Sequence, residues 1–175
     1  MAEFLAVQPY ILQYEGGYNL IKGDKGGETY QGISRNNFPN WEGWVVIDGH
    51  KPLGYNEIIQ DYNLLALVNQ FYKANFWDKM LGDGIDSQEV ATYLYDFKVN
   101  AGGNAVKCVQ RILGIADDGV FGNGSLNALN AYQGDLLKEL HEARCAYYNR
   151  IGTNGSAKFL QGWLNRANNL YNVLS

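Results

Sequence analysis

The chain has little that would tie it together covalently or around a metal. Its two cysteines, Cys108 and Cys145, stand far apart, in neither metal-ligand nor redox spacing, and among apolar neighbours, which reads as two buried, reduced thiols. Its two histidines, His50 and His141, have no partner at ligand spacing. Asp117 and Asp118 lack the spacing of a calcium loop and read as a turn, so neither a metal nor a cofactor is expected. There is no basic surplus either. The formal net charge of -4 argues against binding to a nucleic-acid backbone, which needs a clustered basic surface. Acid is missing from one place, since Ala143 to Ser175 carry Arg144, Arg150, Lys158 and Arg166 and no carboxylate side chain, leaving -8 on the first 142 residues. A mildly basic tail beside an acidic lobe suits a mixed polymer, and equally an ordinary solvated helix face. No segment approaches the roughly 18 apolar residues of a membrane span, so stable membrane insertion is not expected. The start, MAEFLAVQPYILQYEGGY, has no basic region and no small-residue cleavage site, so synthesis in the cytoplasm without a signal peptide is expected. Internal repeats and low-complexity linkers are also missing.

What is present is enough apolar residue to bury a core: 46% of 175 residues, sufficient for one domain or two tightly packed lobes. The patterning is mostly helical. Phe4, Val7, Ile11 and Leu12 recur at helical spacing up to Glu15, where Gly16 and Gly17 supply a stop, and Pro9 implies a kink or a late start. ThrTyrGlnGlyIle at 29–33 favours a short strand, with glycine turns before it. Residues 39–56 read as a loop with one short strand, WVVI. One long or two short helices are expected over 57–80. Beyond GlyAspGlyIleAsp, Ser87 caps a helix running to about Ala101 and Ala105–Leu113 form the next. Ser125 then caps a short helix to Tyr132, and 136–151 and 158–174 complete the set. The fold class is α+β, predominantly α, with a small β element near 20–34. The lobes are expected at 1–85 and 86–175, packed together as one compact, monomeric unit.

The chemistry gathers in YEGGYNLIKGDKGGETYQGIS, residues 14–34. Glu15 at the last turn of a helix faces the negative end of the macrodipole, which favours its protonated form and suits a general acid. Glycines at 16 and 17 would let a bulky substrate approach the backbone. Asp24 follows nine residues later, and Thr29 after it. Two carboxylates in different environments are what glycoside hydrolysis asks for, one to protonate the leaving oxygen and the other to position water or stabilise developing positive charge. Tyr18 and Tyr30 could stack on sugar faces, although core packing is the ordinary fate of such rings. Asp96 and Asn100, one helical turn apart, could line a groove, and Asp96 could equally satisfy a backbone group or an arginine. Trp163 and Arg166, three residues apart on the last helix, read as packing and salt-bridge residues.

The Glu-x8-Asp-x4-Thr spacing resembles the catalytic pattern of phage-type lysozymes, with one residue fewer before the threonine. GluGlyGlyTyr (15–18) and GlyAspLysGlyGlyGluThrTyrGlnGlyIleSer (23–34), with TyrLysAlaAsnPheTrp (72–77), resemble the glycoside hydrolase family 108 lysozymes, the N-acetylmuramidases once described as secretion activator proteins. AspPheLysValAsnAlaGlyGly (96–103), LysCysValGlnArgIleLeuGly (107–114), AspAspGlyValPheGly (117–122) and GlnGlyTrpLeuAsnArg (161–166) resemble that family's C-terminal predicted peptidoglycan domain. The resemblance implies a lysozyme-like helical fold and cleavage of the β-1,4 bond from N-acetylmuramic acid to N-acetylglucosamine in peptidoglycan glycan strands. By that resemblance Glu15 would be the catalytic acid; the reading of the residues themselves adds Asp24 and Thr29 as its partners and Gly17, Tyr18, Tyr30, Asp96 and Asn100 as the substrate-binding set. Tyr30 and Gln31 depart from the family's usual Asn and aromatic residue. A lytic transglycosylase and a non-catalytic wall-binding or secretion accessory protein are the alternatives. Without a signal peptide, a holin or secretion machinery is the expected route to the cell wall, where the chain would act after release.

Overall fold

The computed structural model describes residues 1–20, 27–153 and 157–175. Among these there are eight α-helices and one small antiparallel sheet, the α+β, mostly α class read from the sequence. The chain divides into two compact units, Leu5–Asn75 and Met1–Phe4 with Phe76–Ser175. Residues 76–85, read above with the first lobe, therefore belong with the second unit.

Helix α1 (Phe4–Glu15) begins five residues before Pro9, so the proline lies inside it and the late start is excluded. Val7 and Ile11, one turn apart, are fully buried. Gly16 ends the helix at φ +68, the left-handed position that glycine occupies without a Cβ penalty. Strands β1 (Tyr18–Leu20), β2 (Glu28–Tyr30) and β3 (Ile33–Ser34) follow in that spatial order. Tyr18 pairs with Tyr30 and Tyr30 with Ile33, so Gln31 and Gly32 alone turn the second hairpin. Both have positive φ, 43 and 77, which the right-handed twist of a two-residue hairpin demands. ThrTyrGlnGlyIle is thus a strand, a turn and the start of another strand, where the sequence reading had one strand.

The larger correction falls in 39–56. WVVI is helical, inside α2 (Gly43–Gly49). Trp44 and Ile47 are buried while Val45 is 78% exposed, a three-residue period that no strand has. Trp44 also donates its indole N–H to the Phe38 carbonyl at 2.8 Å, which holds the helix against the preceding turn. Helix α3 (Tyr62–Tyr72) starts at Asp61, whose Oδ1 accepts from the Leu64 N–H at 2.9 Å, and passes into a π-helical turn at Lys73–Trp77.

The second unit is built on α4 (Gln88–Ala101), α5 (Gly103–Ile112), α6 (Asn123–Asn130), α7 (Leu136–Ile151) and α8 (Ala157–Leu174). Ser87 caps α4 by accepting from the Val90 N–H, as its position predicts. Ser125 does not cap α6. That helix starts two residues earlier, and the buried Ser125 hydroxyl accepts from Gln110 Nε2 at 3.3 Å instead. Phe97, Ala105, Cys108, Tyr148 and Ala167 form a packed cluster joining α4, α5, α7 and α8. Both cysteines are free thiols; Cys108 is buried and Cys145 partly so, and burial pushes both thiols up from their ordinary pKa. Asp118 sits in the predicted turn, its Oδ1 accepting from the Val120 N–H and from Gln110 Nε2, both at 2.8 Å. Trp163 packs on Tyr148 with ring centroids 5.5 Å apart, and Arg166 pairs with Asp96, the packing and salt-bridge roles read for them.

Candidate active site

In the first unit, Glu15 closes α1 and is half-buried. Its carboxyl lies against the turn between β2 and β3. A Cβ built on Gly32 would stand 2.7 Å from Glu15 Oε2 and 2.6 Å from the Tyr72 hydroxyl, so the two oxygens flank one small space that only glycine leaves open. Tyr72, buried near the end of α3, donates its hydroxyl to the Gln31 carbonyl at 2.7 Å and so fixes that turn from below. Three elements therefore converge: the C-terminal end of α1, the second hairpin and the last turn of α3. Tyr72 and Gly32 had no place in the sequence-level site. Nothing in the spacing of TyrLysAlaAsnPheTrp says that Tyr72 reaches back forty-one residues.

Of the other expected catalytic residues, Asp24 lies outside the described residues. Thr29 is described, half-buried in the middle of β2, and paired with Asn19 and Ser34 across the sheet. Side chains alternate along a strand, so Thr29 faces away from the side that Glu28 and Tyr30 share.

The binding set divides. Gly17 needs to be glycine for a different reason from the one expected. A Cβ there would lie 2.3 Å from the Glu57 carbonyl oxygen, because the chain itself crosses at Asn56–Glu57. The Gly17 N–H donates to Asn56 Oδ1 at 2.7 Å, and Tyr18 exchanges backbone bonds with the same segment. Tyr18 is 5% exposed; its hydroxyl donates to Glu28 Oε1 at 2.9 Å, and burial followed by that carboxylate raises its pKa. Tyr30, 2% exposed, accepts the Ile59 N–H on its hydroxyl at 3.1 Å. Both rings thus have the core surroundings that were the alternative to sugar stacking.

Asp96 and Asn100 belong to the second unit. Asp96 is 1% exposed, its Oδ2 accepting from Arg144 Nη2 at 2.6 Å and its Oδ1 from Arg166 Nη2 at 2.7 Å. This is the arginine pairing left open as its other reading. Arg144 is itself fully buried, ringed by Tyr93, Phe97 and Tyr148 with centroids 5.2 to 5.4 Å from its guanidinium carbon. Asn100 is exposed and its Nδ2 donates to the Asp96 carbonyl at 2.7 Å.

A buried carboxylate absent from the sequence reading is Glu28. It is 9% exposed and takes Arg35 Nη1 at 3.0 Å and Lys51 Nζ at 2.6 Å, with Asp48 bridging the same two cations at 2.9 and 2.7 Å. Burial pulls the Lys51 ammonium down, but its hydrogen bonds to Asp48 and Glu28 outweigh that and leave its pKa raised. The hydrogen bonds from Lys51 and then Arg35 hold Asp48 below the usual carboxylate range. The signal for Glu28 was its place two residues from Tyr30 on the buried face of a strand. Among the described residues, no group of three or more His, Cys, Asp and Glu is placed to hold a metal ion.

Comparison with known proteins adds to this geometry. The profile described as Glycosyl hydrolase 108 matches residues 8–102, and the one described as Predicted Peptidoglycan domain matches residues 104–168. The chain is also similar to the solved structure of SagA from Brucella abortus, with 28% identity and a TM-score of 0.69, over 98% of this chain and 92% of that one. No curated protein matches it.

Proposed function

Because the chain belongs to the glycosyl hydrolase 108 family, and is thereby a glycoside hydrolase directed at peptidoglycan, we propose that it cleaves the β-1,4 bond between N-acetylmuramic acid and N-acetylglucosamine, with Glu15 as the proton donor. The observation that carries the assignment is the position of the Glu15 carboxyl at a helix end, packed against the exposed Gly32 as closely as only a glycine allows. Glu15 gives its proton to that oxygen as the bond to the anomeric carbon breaks. Water then adds to the oxocarbenium-like centre and gives up a proton to the second carboxylate. In this reading that carboxylate is Asp24, with Thr29 assisting. The general-acid step is worth on the order of 10²- to 10⁴-fold.

Mass spectrometry of the soluble products from purified peptidoglycan tests the bond and the reaction together. Hydrolysis gives reducing-end muramic acid. Anhydro-muramic ends would show that the sugar's own hydroxyl, rather than water, closes the reaction, as in a lytic transglycosylase, and would overturn the hydrolytic step. Asp24→Asn should lower turnover less completely than loss of the Glu15 acid, since an amide can still position water. Full turnover by both Asp24→Asn and Thr29→Ala would place the second carboxylate elsewhere.

A further inference from the structure

Next to the glycine turn lies a cleft of about 190 Å³, lined by Tyr30 and Gln31 on one side and by the segment Ile58–Tyr62 with Leu65 on the other. It opens beside the turn that carries the candidate active site, since Gln31 lines it and the next residue in the chain, Gly32, abuts Glu15. Its rim is unusual for a surface. Tyr62 is 93% exposed, Ile58 50% and Leu65 43%, and all three edge the same concavity. Single exposed apolar side chains need no explanation, but several converging on one hollow mark a place where something apolar is taken up. The lining holds one charge, Asp61, and no lysine, arginine or histidine.

Resting on the reading of the preceding subsection, we propose that this cleft is a subsite for one neutral N-acetylhexosamine ring of the glycan strand, with Tyr62 as its stacking platform. The C–H face of a pyranose packs against an aromatic ring, and the acetamide methyl finds Ile58 and Leu65. Hydroxyls and the amide N–H meet the polar groups of Gln31, Gln60 and Asp61. The volume is below the roughly 300 Å³ at which pockets for drug-sized ligands begin, so it takes one ring and not a longer segment. The lone carboxylate opposes a lactyl group, a stem-peptide carboxylate or a phosphate, none of which would find a cation there. The subsite therefore favours N-acetylglucosamine over peptide-bearing muramic acid.

The test titrates the Glu15→Gln chain, which cannot consume its ligand, with the N-acetylglucosamine tetramer and follows binding by calorimetry and by NMR of ring-labelled tyrosine. Tyr62 resonances should shift on binding. Adding Tyr62→Ala should weaken binding roughly two- to tenfold, the range for loss of one stacked aromatic contact. Tyr55→Ala, at a residue 81% exposed but outside the cleft, is the control and should leave affinity unchanged. Unshifted Tyr62 resonances, equal losses in the two alanine variants, or no binding of the neutral tetramer would each overturn the subsite. The wild-type chain on peptidoglycan separates this from the proposed reaction. Binding through Tyr62 without wall cleavage sinks the reaction and keeps the subsite, whereas cleavage with Tyr62→Ala kinetics unchanged on every substrate does the reverse.

Discussion

At the scale of single residues, glycine and charge carry the largest consequences. Gly32 is held at φ +77, where a side chain is strained, and a Cβ would meet both Glu15 and Tyr72. Gly32→Ala should therefore cost about 1 to 3 kcal/mol of stability through backbone strain. It should also reduce wall-lytic activity by more than the stability loss explains, because the methyl group occupies the space beside the Glu15 carboxyl. Activity per folded molecule, measured beside a denaturant curve, checks it; a variant with wild-type specific activity would show that this space is not used. Asp96 makes a different point. It neutralises Arg144 where water cannot reach, so Asp96→Ala leaves a buried guanidinium half-unpaired and should destabilise the chain by about 3 to 5 kcal/mol. A loss below about 1 kcal/mol in urea unfolding would show that the buried Arg144 guanidinium does not depend on this carboxylate.

At the scale of elements, legibility followed periodicity. Helices α4, α7 and α8 were read to within a residue or two, because a long 3.6-residue repeat has few competitors and Ser87 marks its own start. Short elements rich in β-branched residues were not: WVVI has the composition of a strand, and only the burial of Trp44 and Ile47 with Val45 outside reveals a helix turn. Ser125 had the chemistry of a cap, but Gln110 claims its hydroxyl from another helix, which no local pattern can announce. The place of Glu15 at a helix end was legible from the glycines that follow it. Tyr72 was not, because its partner Gln31 is distant in sequence. The contact between α7 and α8 supplies a pH test. His141 of α7 stacks on Tyr171 of α8 with centroids 4.3 Å apart and bonds the Tyr93 hydroxyl at 2.9 Å. Burial, with Arg144 nearby and Glu142 opposing in part, lowers its pKa below the ordinary 6.5. The unfolded chain thus takes up a proton that the folded chain refuses. The neutral form's contribution is complete above about pH 6.5 and is lost as pH falls from there toward the depressed value. The thermal midpoint should fall over that window in the wild type and fall less steeply in His141→Gln; equal slopes would remove His141 from the effect.

At the scale of the whole molecule, the family boundary and the structural one do not coincide. The glycosyl hydrolase 108 match runs to residue 102, through all of α4, while the compact units divide after Asn75. Helix α4 contributes most of its buried side chains, from Val90 to Phe97, to the second unit, so the matched segment ending at 102 would leave that core open on removal of α5, α7 and α8. A chain cut after residue 102 should accordingly not give a cooperative unfolding transition, and a sharp transition in that fragment would show that the first match is self-sufficient.

The proposed reaction turns on one proton. Glu15→Gln keeps the shape of the side chain and removes its ability to donate, so the variant should retain its thermal midpoint within a few degrees while release of soluble fragments from purified peptidoglycan falls on the order of 10²- to 10⁴-fold. Release at the wild-type rate by a correctly folded Glu15→Gln chain would contradict the central claim that this carboxyl is the catalytic acid.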